Sequence, residues 1–367
     1  MSNPLVDLGP QGQSVWYDSI SRSLITSGDL ARLITEDGVR GMTSNPAIFE
    51  KAISGSDDYT DDLQRHARAG LSPLQIYEAI AIDDIQAAAD VLRPVFDDSQ
   101  GADGFVSLEV SPYLAADTPG TIDEALRLAA AVERPNLMIK VPGTAAGVAA
   151  IEALIGKGLN INVTLLFAQH NYAAVAEAYL AGLETFAAAG GDVGGIASVA
   201  SFFVSRIDSL VDSELEQRPA LGDLRGKVAI ANAKLAYQHY LKIKASDRWQ
   251  TLAAKGARPQ RLLWASTGVK NPDYRDVLYV EELIGKDTVN TMPVATFEAF
   301  RDHGVVAASL EQGIDEARQV MAAIEVAGIS MQKVTDKLQT DAVQLFVEPF
   351  DKLLGAIESR CAALPSA

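Results

Sequence analysis

The chain has 367 residues, 48% of them apolar and 22% charged, which is the composition of an ordinary globular protein with a large core. Its net charge of −17 argues against a nucleic-acid partner or an anionic membrane surface, so any phosphate site must be a local group of basic residues. No apolar run reaches membrane-spanning length, and residues 1–13 lack the apolar stretch of a signal peptide. We therefore expect a cytoplasmic protein with no membrane partner.

Cofactor and metal sites have little support in the sequence. The single cysteine, Cys361, excludes an internal disulfide framework. The four histidines are scattered and most simply interpreted as surface or helix residues, so we predict no metal centre: His66, His170, His239 and His303. No Gly-x-Gly-x-x-Gly follows a predicted strand, so a dinucleotide cofactor is not expected.

Eight short apolar segments predict strands, at residues 14–18, 38–45, 104–110, 137–141, 160–167, 197–204, 261–268 and 288–293. Helical patterns separate them, beginning with residues 19–35. A helical insertion is predicted at about 213–260, between strands six and seven, and further helices at about 295–362. This alternation predicts an α/β fold, a (β/α)8 barrel forming one domain over residues 1–367. A doubly wound open sheet is the alternative, because strand count alone does not prove closure.

Lys140 stands out because it lies inside a buried apolar strand. The run from Leu137 to Val141 is bounded by Pro135 and Pro142. Burial disfavours the ammonium form of lysine and makes the side chain a suitable nucleophile for a Schiff base. A structural ion pair in the barrel core is an equally good interpretation of the segment alone. The turn that begins at Pro142 places Lys140 near the carboxyl end of its strand, where α/β barrels carry their active sites.

Polar side chains occur near the carboxyl ends of six predicted strands. They are Asp18, Asn45, Glu109, Lys140, Asn162, Thr164 and Ser201. In a closed barrel these residues converge, and each unpaired buried polar group costs about 1–3 kcal/mol. We therefore favour an active site over a purely structural polar network.

Two carboxylates beside a Schiff-base lysine can divide the proton transfers of carbonyl chemistry. Asp18 and Glu109 fit this role, although each could instead be a simple counter-ion of Lys140. Thr164 could hold a water molecule through its hydroxyl, or satisfy its own backbone. Asn45 and Asn162 could bind sugar hydroxyls through both amide donor and acceptor.

Ser205 and Arg206 open a predicted helix directly after strand six. Free N–H groups, the helix dipole and a guanidinium together suit a phosphate group. The alternative is an exposed helix cap with a surface arginine. Lys270, after strand seven, is a weaker candidate for a second positive charge.

Four segments together resemble the transaldolase family. They are Thr-Ser-Asn-Pro-Ala-Ile-Phe (43–49), Leu-Met-Ile-Lys-Val-Pro-Gly-Thr (137–144), Asn-Ile-Asn-Val-Thr-Leu-Leu-Phe (160–167) and Ser-Phe-Phe-Val-Ser-Arg-Ile (201–207). The resemblance runs from about residue 14 to 360. Within the family, the chain is similar to the longer bacterial-type subgroup of these class I Schiff-base enzymes. It implies transfer of a dihydroxyacetone unit from sedoheptulose 7-phosphate to glyceraldehyde 3-phosphate, giving erythrose 4-phosphate and fructose 6-phosphate, in the non-oxidative pentose phosphate pathway.

The resemblance also implies residue roles. Lys140 would be the Schiff-base nucleophile, Glu109 an acid/base acting with a water on Thr164, and Asp18 the base at the C4 hydroxyl. The implied substrate-binding residues are Asn45, Asn162, Ser201, Phe203, Arg206, Ser266 and Lys270. Sugar phosphates are the implied partners, without a cofactor, and the oligomeric state stays open between monomer and homodimer.

Two rival interpretations remain at the level of sequence. A Schiff-base aldolase would use the same lysine and similar acid/base groups but release free dihydroxyacetone. A catalytically silent sugar-phosphate-binding barrel would need only Arg206 and the asparagines. The chain also departs from many transaldolases by having residues 267–270, Thr-Gly-Val-Lys, where they place an arginine after strand seven.

Overall fold

The computed structural model describes residues 3–363. Eight parallel strands form its centre: β1 (Gln13–Tyr17), β2 (Val39–Thr43), β3 (Phe105–Glu109), β4 (Leu137–Pro142), β5 (Ile161–Leu166), β6 (Ser198–Phe203), β7 (Arg261–Ala265) and β8 (Thr288–Met292). Each strand pairs with the next in the chain, and β1 pairs with β8, so the sheet is a closed barrel. The predicted (β/α)8 fold is confirmed, and the open sheet is excluded.

Sixteen α-helices accompany the strands in the described residues. They are α1 (Pro4–Asp7), α2 (Arg22–Thr26), α3 (Asp29–Glu36), α4 (Pro46–Ser54), α5 (Thr60–Arg68), α6 (Pro73–Asp98), α7 (Thr118–Val132), α8 (Ala145–Ile155), α9 (Gln169–Ala188), α10 (Ser205–Leu215), α11 (Val228–Lys244), α12 (Asp247–Ala253), α13 (Leu278–Glu281), α14 (Val294–His303), α15 (Ile314–Val326) and α16 (Met331–Ala362). The predicted insertion contains a 3-10 segment, Pro219–Leu224, and the helices α11 and α12. No helix in the part of the chain that is described is long and apolar enough to cross a membrane.

Several strands are shorter than the sequence predicted. β1, β2 and β7 end before Asp18, Asn45 and Ser266, so these three polar residues lie on the loops that follow their strands. The predicted helix over residues 19–35 is also wrong in detail. It is divided into α2 and α3 at Gly28, whose φ of +86° is a conformation that favours glycine.

The last helix, α16, lies over the carboxyl ends of the barrel strands. Gln339 Nε2 donates to the carbonyl of Gly143, directly after β4, at 3.0 Å. Nearly two turns further on, Leu345 and Phe346 line the cavity at the barrel mouth. The C-terminal helix therefore forms part of the wall of the candidate site.

Candidate active site

A cavity of about 230 Å³ lies at the carboxyl ends of the strands. Nine residues predicted from the sequence line it: Asp18, Asn45, Lys140, Thr164, Ser201, Phe203, Arg206, Ser266 and Lys270. The other two, Glu109 and Asn162, bond to lining residues. All the predicted site residues therefore lie at one end of the barrel, as expected for side chains carried by neighbouring parallel strands.

Lys140 lies on β4 opposite Glu109 of β3 and Asn162 of β5. It is 5% exposed. Its Nζ lies 3.5 Å from Oε2 of Glu109 and donates to the carbonyl oxygen of Ser44 at 3.1 Å. The ring of Phe346 lies 5.7 Å from the same nitrogen. Lys140 thus combines a buried position, one close carboxylate and direct access to the cavity.

Glu109 is a buried carboxylate whose acidity is strongly changed. Burial, with a smaller contribution from the charge of Asp18, raises the pKa of Glu109 to about 7 against the opposing effect of Lys140. The distance of 3.5 Å to Lys140 fits an ion pair but exceeds a normal charge-assisted hydrogen bond. Oε2 has no hydrogen-bond partner among the described residues. A carboxyl group with a pKa near 7 can both donate and accept protons at neutral pH.

Asp18 is held by the hydroxyl of one threonine, which is in turn bonded to a second, and the sequence did not single out either residue. Thr43 Oγ1 donates to Oδ1 of Asp18 at 2.5 Å and lies 2.7 Å from Oγ1 of Thr291. Because Thr43 uses its own hydrogen on Asp18, Thr291 is the donor to Thr43. Burial raises the pKa of Asp18, whereas Lys140 and the Thr43 hydrogen bond lower it. These contacts fix the direction in which the carboxylate faces the cavity.

Asn162 lies at the centre of a buried polar chain across three strands. Its Nδ2 donates to Oγ of Ser107 at 3.0 Å, and its Oδ1 accepts from Oγ of Ser201 at 2.7 Å. Ser201 lines the cavity, and Asn162 itself is fully buried. The amide nitrogen and the amide oxygen of Asn162 therefore each bond to another side chain of the protein. A sugar hydroxyl could contact Asn162 directly only if this series of hydrogen bonds rearranged; otherwise the contact would pass through Ser201.

Thr164 follows two residues later on β5 and is fully buried, with an unpartnered Oγ1. The strand is irregular here, because its register with β6 shifts between Val163 and Leu166. Leu165 has a φ of +60°, which is unfavourable for a leucine. Bulges and strained residues of this kind cluster at functional sites. The unpartnered hydroxyl is free to bind a group in the cavity.

Asn45 lines the cavity, as predicted, and also caps a helix. It is the N-cap of α4, and its Oδ1 accepts from the backbone N–H of Ile48 at 3.0 Å. The amide oxygen is thus used by the helix, as is common for asparagine at this position. The amide nitrogen and the second lone pair of the oxygen are left for a ligand, so the expectation that Asn45 binds substrate stays a prediction.

Arg206 forms the far end of the cavity. Its guanidinium carbon lies 5.3 Å from the ring centroid of Phe203, and its Nη1 is buried without a partner. Burial lowers the pKa of Arg206. The neighbouring helix N-terminus is less free than predicted, because the backbone N–H of Ser205 donates to the carbonyl of Ser266 at 3.0 Å. The guanidinium, not the helix end alone, is the main candidate for an anion.

Sequence reasoning missed four residues of the site. Thr43, Ser107 and Thr291 lie on strands without an unusual motif, and Phe346 comes from a helix more than 200 residues after Lys140. Ser107 lies on β3 two residues before the predicted Glu109, and Thr43 ends β2 two residues before the predicted Asn45. Their spacing of two residues along those strands was a usable signal, because side chains alternate between the two faces.

The arrangement suits imine chemistry. A buried amine, a carboxyl group with a pKa near neutrality and a second carboxylate meet at a cavity that ends in a guanidinium. No group of three or more His, Cys, Asp or Glu residues that could hold a metal ion occurs in residues 3–363.

Comparison with known proteins identifies the family of the chain. The family model of transaldolase and fructose-6-phosphate aldolase matches residues 15–357. Transaldolase of Thiobacillus denitrificans is 50% identical, covering 96% of this chain and 98% of the relative. Transaldolase 2 of Nostoc sp. is 48% identical, covering 98% and 97%. Transaldolase of Thermobifida fusca is 48% identical, covering 99% and 100%. The chain therefore belongs to the transaldolase/fructose-6-phosphate aldolase family.

Proposed function

We propose that the chain is a transaldolase, which moves a dihydroxyacetone unit from a ketose phosphate to an aldehyde. The observation that carries this proposal is the position of Lys140 Nζ, 3.5 Å from a buried carboxylate and facing a cavity that Asp18 shares. The near-full-length match to curated transaldolases supports the same conclusion. Sedoheptulose 7-phosphate is the proposed donor and glyceraldehyde 3-phosphate the proposed acceptor.

Imine formation is the first proposed step. The neutral amine of Lys140 attacks the C2 carbonyl of the ketose, and a carbinolamine forms. Glu109 gives a proton to the departing hydroxyl group, which leaves as water, and the nitrogen becomes an iminium. A pKa of about 7 lets Glu109 give this proton and later regain one. Thr164, whose hydroxyl is unpartnered, is the proposed anchor for the water that relays it.

Bond cleavage is the second proposed step. Asp18 removes the proton from the C4 hydroxyl, the C3–C4 bond breaks, and the electron pair moves into the iminium to give an enamine. Erythrose 4-phosphate leaves when sedoheptulose 7-phosphate is the donor. The enamine then attacks the aldehyde carbon of glyceraldehyde 3-phosphate, Asp18 returns its proton to the new hydroxyl, and hydrolysis of the imine releases fructose 6-phosphate.

Arg206 is the proposed phosphate ligand of both donor and acceptor. Its unpartnered, buried Nη1 and the nearby Lys270 supply positive charge in a strongly acidic protein. Ser201, Asn45 and Phe203 would bind the three-carbon unit and the sugar chain. Because phosphorylated sugars do not cross membranes unaided, we also propose the cytoplasm as the place of action.

Borohydride trapping tests this function directly. The protein is incubated with fructose 6-phosphate, reduced, digested and analysed by peptide mass spectrometry. We expect a three-carbon adduct on Lys140, because glyceraldehyde 3-phosphate leaves and the dihydroxyacetone unit remains bound. A folded protein that binds the sugar phosphate but forms no adduct would contradict the proposal.

An acceptor test separates the two activities that the family includes. A transaldolase forms its second product only when an acceptor aldehyde such as erythrose 4-phosphate is added. Steady release of free dihydroxyacetone from fructose 6-phosphate without an acceptor would instead identify an aldolase.

A further inference from the structure

Tyr274, on the segment after β7, is tied to the helix that carries Arg206. Its hydroxyl donates to Oδ2 of Asp212 on α10 at 2.7 Å. The other carboxylate oxygen, Oδ1, accepts from the backbone N–H of Gly226 at 3.2 Å. Asp212 is only 6% exposed, so it depends on protein partners in place of water. Each of its two oxygens has one.

The ring of Tyr274 is also held in position, because it packs closely against the backbone of Gly226. Gly226 has a φ of +72°, and a Cβ at this position would lie 3.0 Å from the Tyr274 ring. A side chain is therefore disfavoured at residue 226 both by backbone conformation and by contact with the ring. The tyrosine is held between the start of the insertion and α10.

This anchor lies four residues from Lys270. The backbone N–H of Tyr274 donates to the carbonyl of Asn271 at 3.2 Å, and Oδ1 of Asn271 accepts from the N–H of Asp273 at 3.0 Å. These two bonds close a turn that begins immediately after Lys270. A fixed Tyr274 therefore restricts where the lysine can reach.

Lys270 lines two cavities, one of which it shares with a basic residue and the other with acidic residues. It lines the active-site cavity with Arg206, and it also lines a notch of about 190 Å³ with the carboxylates of Asp208, Asp212 and Glu216. Lys270 makes no ion pair within residues 3–363. Asp208 is occupied by the N–H of Ala229 and, as Asp212 is by Tyr274, by a tyrosine hydroxyl. A saturated carboxylate competes less strongly for a lysine than one that has lost a donor.

We propose that Tyr274 is a positioning residue for sugar-phosphate binding. It occupies Asp212 and fixes the turn 271–274, and in this way keeps Lys270 available to the phosphate end of the active-site cavity. The inference rests on the proposed function, and it identifies which part of the chain sets the preference for phosphorylated over unphosphorylated substrates.

The test compares Tyr274→Phe with a matched control. Tyr240 on α11 donates to Oδ2 of Asp287 at 3.2 Å, and Asp287 lines neither the active-site cavity nor the notch beside Lys270. Tyr240→Phe therefore removes the same kind of bond without freeing a carboxylate near the lysine. We expect Tyr274→Phe to raise KM for fructose 6-phosphate about five-fold with kcat unchanged, the size expected for a half-exposed ion pair. The inhibition constant of inorganic phosphate should rise by the same factor. Tyr240→Phe should change neither.

Two double variants distinguish a positioning role of Tyr274 from a general loss of rigidity in the protein. Tyr274→Phe should have no added effect in a Lys270→Met background. In the pair Tyr274→Phe with Asp212→Asn, KM should return toward the wild-type value, because the carboxylate that attracts Lys270 is gone. Equal KM values for Tyr274→Phe and Tyr240→Phe, in proteins whose thermal denaturation shows that they are folded, would overturn the proposal.

A binding measurement in a variant that does not turn over the substrate tests the role of Tyr274 independently of the proposed function. The dissociation constant of fructose 6-phosphate is measured by calorimetry in Lys140→Met, with and without Tyr274→Phe. A five-fold weakening supports the positioning role even if the transaldolase assay fails. An unchanged constant overturns the role even if the wild type is an active transaldolase.

Discussion

Both ends of the barrel contain buried polar groups, but the two ends differ in which of these groups lack hydrogen-bond partners. At the amino end, the carboxylate of Asp103 accepts from Nε1 of Trp16 at 2.8 Å and from Ser14, and Nη2 of Arg261 lies 3.3 Å from its Oδ1. At the carboxyl end, buried atoms of three candidate site residues have no hydrogen-bond partner in residues 3–363: Glu109 Oε2, Thr164 Oγ1 and Arg206 Nη1.

Unpartnered atoms also occur at the amino end, but they are of another kind. The amide oxygens of Gln13, Asn136 and Gln260 lack partners, while the amide nitrogen of each donates a hydrogen bond. These groups are neutral and cannot titrate. Burial alone therefore does not identify a functional end. The distinguishing property is that ionisable and hydroxyl groups stay unsatisfied beside open space.

Replacing Lys140 should have the largest effect on activity. Lys140→Met removes the amine that we propose forms the imine, so kcat should fall by about 10⁴-fold or more. Lys234→Met is the matched control. Lys234 is 7% exposed, lies 3.1 Å from Glu282 and donates to the carbonyl of Gln312 at 3.2 Å, but it lies on α11, outside the site. A coupled assay should show near wild-type activity for the control, and substantial turnover by Lys140→Met would contradict the assignment.

Glu109→Gln keeps the size of the side chain but removes its acid/base capacity. We expect kcat to fall by about 10²- to 10⁴-fold. The wild-type pH profile should bend near pH 7, because burial raises the pKa of Glu109 to about this value. The bend should be missing from the residual activity of the variant. An unchanged bend would assign it to another group.

The same carboxyl group should make stability depend on pH. Because the pKa of Glu109 is about 7 in the folded protein and 4.5 ordinarily, the folded state keeps a proton that the unfolded state releases. The resulting stabilisation is full below about pH 4.5 and is lost as pH rises through 7. The expected loss is on the order of 3 kcal/mol. Urea denaturation at pH 5 and pH 8 should show a smaller difference for Glu109→Gln than for the wild type.

Thr164 offers a smaller and more selective test of the carboxyl end. Thr164→Val keeps the shape of the side chain but removes the unpartnered hydroxyl, and we expect kcat to fall about tenfold, which corresponds to ~1.4 kcal/mol. Thr164→Ser restores the hydroxyl and should recover most of the rate. Burst kinetics with fructose 6-phosphate would show whether imine formation is the step that slows. Equal rates for the valine and serine variants would assign the effect to packing.

Much of this comparison could be predicted from the sequence, for reasons that are local. Lys140 lies in an apolar strand bounded by prolines, and its neighbours Glu109 and Asn162 follow from the order of the strands in a closed barrel. The contribution of Phe346 could not be predicted, since it depends on where a helix beginning at Met331 lies. Asn45 before Pro46 was a usable signal for the helix cap, whereas the bulge at Leu165 depends on backbone geometry that residue types do not specify.

Asp103→Asn should leave activity almost unchanged and so tests the other side of the comparison. The substitution keeps the side-chain volume but removes the charge opposite Arg261, whose side chain is 16% exposed. Breaking one partner of a buried pair is costly, so the free energy of unfolding measured in urea should fall by about 2–4 kcal/mol. At 25 °C, where the variant remains folded, kcat and KM should match the wild type, because no contact of Asp103 reaches the cavity. A large loss of kcat in the folded variant would mean that the amino end also shapes the site, and the division between a stabilising end and a functional end would not hold.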